Sequence, residues 1–261
     1  MFFYLAMKYI KFLLNIHSGK GRYIEIDALR AFAILLMVFY HFSWDLMYFG
    51  YIEIDVYNGF WYWFARFIAS LFIFTAGIGI AIAYGRCKDY NDFVKSSIKR
   101  GLVIFMWAAI ISLVSLFQFG SGYMIIFGIL HLLGFSVIAS AFAVRINRVI
   151  IIAVAVVTVF IGYKLFHMAS HDLYLVWAGV QQYGRAMPDY YPVFPYFAPA
   201  LVGLAVGKTF YSNGMHPDLK FLKKNNAVKL LATMGRFSLL IYLVHQPILM
   251  AFFSIVQFFR G

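Results

Sequence analysis

Residues 60–84 read FWYWFARFIASLFIFTAGIGIAIAY, 25 positions carrying one charge, Arg66. At a rise of about 1.5 Å per residue such a run is long enough for the roughly 30 Å apolar core of a bilayer. It is not alternating, as a lipid-facing barrel strand would be. It stops at Gly85, and Arg86 and Lys88 follow at once. An apolar stretch closed by basic residues is the pattern of a membrane helix that ends on the cytoplasmic side.

Working outward from it, the same window finds six more spans, at about 28–48, 100–119, 122–143, 148–168, 193–211 and 234–258. The whole composition agrees. The 261 residues are 64% hydrophobic and 12% charged, with a mean hydropathy of +0.82. Soluble domains hold about 25% charged residues, and disorder needs low hydrophobicity and high charge. The fold class expected is an all-α polytopic membrane protein, a bundle of about seven transmembrane helices. Residues 1–21 open on an apolar stretch, Met1 to Ile16, broken by Lys8 and Lys11. They read as a short interfacial amphipathic helix, ahead of a single transmembrane domain over 22–261. The one cysteine, Cys87, cannot close an intramolecular disulfide.

Charge sets the orientation. Of 22 Lys and Arg, 18 fall in alternate loops with the N-terminal segment, three fall in the others, and Arg66 lies inside a span. The N-terminus is therefore expected in the cytoplasm and the C-terminus outside, in a multi-pass protein of the cell membrane. The net charge of +12 belongs to these loops, and no nucleic-acid partner is expected. The partners expected are the bilayer and the reactants; a homo-oligomer remains open.

Ionisable groups inside spans are costly and point to function. His41, His131 and His245 each fall about 13–16 Å from a span end, so three imidazoles are expected at comparable depth, lining one cavity. Imidazole exchanges protons near neutral pH, which suits a general base. Asp45 stands at i+4 from His41, placed to orient its ring. The three intramembrane histidines show no H-x-x-x-H or comparable close spacing among themselves, and no metal site is expected. Arg66 is expected near the outer mouth, to clamp a carbonyl or carboxylate, to snorkel to the interface or to pair with Asp45, pairing being preferred. Asp27 reads as an N-cap able to pair with Arg30. Arg30, Lys99 and Arg100 either hold cofactor phosphates or anchor the inner face. The outer segments carry Asn58 and, in a long loop over about 165–192, Asp189; these groups bond hydroxyls or belong to a solvated loop. Gly203 and Gly207 have the spacing of close helix contact.

Four segments then take on a common look: RYIEIDALRAFAILLMVFYHFSW at 22–44, FIFTAGIGIAIAYGR at 72–86, DYYPVFPYFAPALVGLAVGK at 189–208 and GRFSLLIYLVHQPIL at 235–249. In this order they resemble the heparan-alpha-glucosaminide N-acetyltransferase catalytic domain, and its short bacterial and archaeal relatives more closely still. The resemblance implies an acetyl group taken from cytosolic acetyl-CoA and passed to a sugar across the membrane. On this reading the residues placed above would serve it, Arg30, Lys99 and Arg100 at the donor and Arg66, Asn58 and Asp189 near an envelope or surface glycan acceptor. His41 is then the expected base, oriented by Asp45, with His131 or His245 bonding the thioester carbonyl or the pantetheine arm. In the eukaryotic members an Asn stands where this chain has His41, and the catalytic His lies three residues before a W-N-G. Here the matching triplet is Tyr57-Asn58-Gly59, and Ile54 stands at that position. The readings kept beside an acyltransferase are a small transporter or channel with a histidine proton relay, and a scaffold subunit.

Overall fold

The computed structural model describes residues 23–56, 58–184, 189–211, 222 and 224–260. The interfacial segment expected over 1–21 lies outside the described residues. The helices are α1 (Ile24–Tyr48), α2 (Gly59–Tyr84), α3 (Tyr90–Phe119), α4 (Ile129–Ala143), α5 (Arg148–Phe166), α6 (Val193–Tyr196), α7 (Ala198–Phe210), α8 (Asn226–Arg236) and α9 (Ser238–Arg260). Two strands of two residues each, β1 (Ala169–Ser170) and β2 (Gln181–Gln182), pair in parallel. Among the described residues six helical segments are long and apolar enough to cross a bilayer, α6 and α7 together counting as one. Large apolar side chains lie outward along α5, with Val149 at 71% and Phe160 at 69% exposure. Such faces need lipid rather than water. The protein is a polytopic α-helical membrane protein.

The seventh expected span is shorter than its sequence suggests. Residues 122–143 read as one apolar run, but helix α4 starts only at Ile129 and has 15 residues, about 22 Å. Gly120 has a positive φ of 76° and opens a single 3-10 turn over Ser121–Tyr123. The hydroxyl of Ser115 then accepts the backbone N–H of Ile125 at 3.0 Å. The apolar residues 124–127 follow this turn and are not helical. Elsewhere the caps are local. Asp89 accepts the Asp92 N–H at 2.9 Å to start α3, and Asn147 accepts the Val149 N–H at 2.8 Å to start α5. Helix α3 thus begins ten residues before the expected span and carries Lys95, Lys99 and Arg100 on its first turns. At the start of α1 the expected N-cap is displaced. Tyr23 holds the cap position, and Asp27 sits in the first turn, 3.4 Å from Arg30. A carboxylate there still favours the helix N-terminus.

The chain divides into two compact units, Met1–Phe72 with Asp218–Gly261, and Ile73–Pro217. In the first, α1 packs against α8 and α9. Gly235 of α8 lies on the backbone of Asp27, so that a Cβ there would meet the Asp27 carbonyl. The core of this unit gathers Ile34, Met37 and Ile68, with Ile241 and Tyr242 from α9 packed on it. In the second unit the latter half of α2 meets α7 through glycines. A Cβ on Gly77 would come within 2.8 Å of the Leu204 nitrogen, and one on Gly203 would strike the Phe74 carbonyl. The expected close approach at Gly203 and Gly207 is therefore real. Part of the segment after α5 packs into the protein, while Leu173, Tyr174, Trp177 and Tyr183 stay exposed. Val176 and Val180 are 1% and 3% exposed, and the Tyr190 hydroxyl donates to the Val176 carbonyl at 2.8 Å.

Candidate active site

Helices α1 and α9 form a seam that reads in order. Ile241 and Tyr242 pack with Ile34 and Met37, His245 meets His41, Gln246 meets Asp45, and Phe253 meets Phe49. Rising numbers on one helix meet rising numbers on the other, so the two run parallel. Residues 241, 242, 245, 246 and 253 fall on one face by helical periodicity. Phe253, 3% exposed, closes one end of the seam against Phe42, Phe49 and Tyr51.

The imidazoles of His41 and His245 stand edge to face with ring centroids 4.7 Å apart. Each ring is tied to its own helix. His41 Nδ1 lies 3.0 Å from the Met37 carbonyl oxygen, and His245 Nδ1 lies 2.6 Å from that of Tyr242. A carbonyl only accepts, so both Nδ1 atoms carry the proton. In the neutral ring that leaves Nε2 as a bare lone pair. Backbone geometry thus sets both tautomers, a task the sequence assigned to Asp45.

Asp45 does something else. It is fully buried, and its Oδ1 accepts from Gln246 Nε2 at 2.8 Å, across 201 residues of chain. The i+4 spacing does place it one turn beyond His41, but the His41 ring bonds back toward Met37, away from that turn. Among the described residues the buried atoms Asp45 Oδ2, Gln246 Oε1, His245 Nε2 and Tyr51 Oη find no hydrogen-bond partner. Unpaired polar atoms in an apolar interior are expensive, and four of the eight such atoms among the described residues lie at this seam. Gln246 was not singled out in the sequence. The available signal was its place between His245 and Pro247 inside an apolar span; Pro247 cannot supply the N–H that the Leu243 carbonyl would otherwise accept.

The other expected site residues have different tasks. Arg66 does not pair with Asp45. Its guanidinium lies over the Tyr62 ring at 3.2 Å and donates to the Tyr62 carbonyl at 3.1 Å. The guanidinium is thus held on its own helix, with its Nε left unpartnered among the described residues. Asn58 is exposed and bonded to Asp55 through both its backbone N–H, at 3.1 Å, and its side chain, at 2.8 Å. Arg30 is engaged by Asp27 at 3.4 Å. Lys99 is exposed and Arg100 partly buried, both on α3 in the second unit.

His131 also belongs to the second unit, and its depth differs from that expected. With α4 starting at Ile129 it is the third residue of a helix rather than the middle of a span. Its Nδ1 accepts the Gly128 N–H at 3.2 Å, and its ring stacks on Phe127 with centroids 5.4 Å apart. Asp189 completes the same helix start, its Oδ2 accepting the Ile129 N–H at 3.2 Å from 60 residues away. Two orphan donors of the helix are thereby satisfied. Burial pushes the Asp189 carboxyl up to about 7, partly offset by the Ile129 N–H. Both residues are accounted for by capping.

Among the described residues no group of three His, Cys, Asp or Glu side chains is placed to hold a metal ion. No curated protein matches the chain in sequence. The family model described as heparan-alpha-glucosaminide N-acetyltransferase, catalytic, matches residues 22–247, taking in His41, Asp45, His245 and Gln246. With most of its length inside that match, the chain belongs to the heparan-alpha-glucosaminide N-acetyltransferase catalytic family, a family of membrane acetyltransferases.

Proposed function

We propose that the protein transfers an acetyl group from acetyl-CoA, reached from the cytoplasm, to an amine or hydroxyl of an envelope or surface sugar on the outer side of the cell membrane. The observation that carries this reading is the His41–His245 pair. Its rings lie 4.7 Å apart with both Nδ1 atoms spent on backbone carbonyls. A base needs a lone pair held in place before the acceptor arrives, and Nε2 of such a ring is one. In the reaction Nε2 takes the acceptor's proton as its nitrogen or oxygen bonds to the acetyl carbon. The C–S bond of the thioester breaks, and the proton returns to the CoA sulfur. Phosphates of the donor are assigned to Lys99 and Arg100, the basic residues on the first turns of α3. The charge asymmetry of the loops supports a cytoplasmic N-terminus and an external C-terminus.

Two measurements test the reading. Proteoliposomes loaded with labelled acetyl-CoA on one side and a panel of amino sugars and neutral sugars on the other should yield an acetylated sugar. Donor binding should weaken with salt, as contacts between phosphate and Lys or Arg do. Failure to bind CoA or to transfer to any member of the panel would overturn it. Reporter fusions should read external at Gly184 and cytoplasmic after Lys224, and an external signal after Lys224 would reverse the assigned orientation.

A further inference from the structure

Among the described residues the buried carboxyl of Asp45 has no cation beside it. Arg66 is turned back on Tyr62, and the group bonded to Asp45 is the neutral amide of Gln246. An ionised carboxylate at 0% exposure inside a membrane span, with one neutral donor, is a poor arrangement. The orphaned atoms supply the alternative. Asp45 Oδ2 and Gln246 Oε1 are both buried and unpartnered. They are the remaining polar oxygens of the same two planar groups whose other atoms already meet at 2.8 Å. In a two-point pairing of these groups the two oxygens would face each other, and two acceptors repel. One proton on Oδ2 turns that repulsion into a second hydrogen bond, because a protonated carboxyl has an O–H to donate and an amide oxygen accepts it. The same proton removes the buried charge.

We propose that Asp45 is a neutral carboxylic acid joined through both oxygens to the Gln246 amide. In this clasp Gln246 Nε2–H donates to Asp45 Oδ1 and Asp45 Oδ2–H donates to Gln246 Oε1. Asp45 and Gln246 are then positioning residues. They pin α9 to α1 one residue from His245 and four from His41, and so hold the two rings in their edge-to-face arrangement. Of the partnerless buried atoms named on these two helices, the clasp leaves His245 Nε2 alone, where a reactant's proton would go.

The activity arm of the test rests on the acetyl-transfer reading; the other arms do not. In purified protein at neutral pH, infrared difference spectra should show a protonated-carboxyl stretch that Asp45→Asn removes. Asp189→Asn is the control for the carboxyl at the start of α4. Asn keeps one donor and one acceptor toward Gln246, so Asp45→Asn should retain the melting temperature that Asp45→Ala and Gln246→Leu lower. It should also rescue the activity those variants lose, about 10²-fold if the rings are displaced by an ångström. Two outcomes overturn the clasp: no protonated-carboxyl band assignable to Asp45, or an Asp45→Asn variant as unstable as Asp45→Ala. If the wild type transfers no acetyl group but the band and the melting pattern stand, the acetyl-transfer reading fails and the clasp holds.

Discussion

Two regions of this protein hold a histidine and an aspartate in apolar surroundings, and they use them in opposite ways. At the start of α4, His131 and Asp189 accept backbone N–H groups that the helix end leaves over, at 3.2 Å each. On the α1–α9 seam, His41, His245 and Asp45 lie within helices whose backbone is already bonded. Their side chains are left facing one another and Gln246, and three of the buried polar atoms there stay unpartnered. A helix end consumes polar side chains, whereas a helix interior leaves them available for a ligand or a proton. Residue type and hydropathy are the same in both places; position along the helix decides the role.

The largest effect that can break this contrast is catalytic. His41→Ala and His245→Ala, assayed for acetyl transfer, should lower the rate by about 10²–10⁴-fold in the one that acts as base. His131→Ala should leave the rate within a few-fold and act on stability. A His131→Ala variant that folds normally yet loses transfer would erase the distinction. His41→Asn sharpens it further, because the eukaryotic members resembled by residues 22–44 place Asn there. Full transfer by that variant would leave His245 as the base.

A smaller effect concerns the cap. A Cβ at Gly128 would run into Asp189 Oδ2 and lie 3.1 Å from the Asp189 carbonyl oxygen. Gly128→Ala should therefore push Asp189 off the helix start, at about 1–3 kcal/mol, read as a lower melting temperature with the transfer rate of the folded fraction unchanged. An unaltered melting curve would show that Asp189 does not hold α4. The smallest effect is pH dependence. Burial raises the Asp189 carboxyl from 3.8 to about 7, so the folded protein holds this proton more tightly than the unfolded chain. The stability linked to it is full below about pH 4 and is lost as pH rises to about 7. The melting temperature should decline over that window in the wild type, and Asp189→Asn should flatten the decline. Equal slopes in the two proteins would remove Asp189 as the cause.

The amino-acid sequence by itself determined the membrane class, because continuous apolar runs of about 20 residues admit no other solvent. It also determined the approximate place of six long spans, and that His41 and His245 lie inside them. The tertiary structure decided the rest. Periodicity says which residues share a face of a helix but not which helix covers that face. So Asp45 was legible as a neighbour of His41 at i+4, and its bond to Gln246, 201 residues on, was not. The short α4 was hidden for a related reason. Residues 124–127 are as apolar as any helix turn, and only the glycines at 120, 122 and 128 hint that the chain bends there. Hydropathy records what the chain can bury. Where a helix begins, and whether a buried histidine ends up as a cap or as a base, depends on which donors and acceptors the folded backbone leaves unspent.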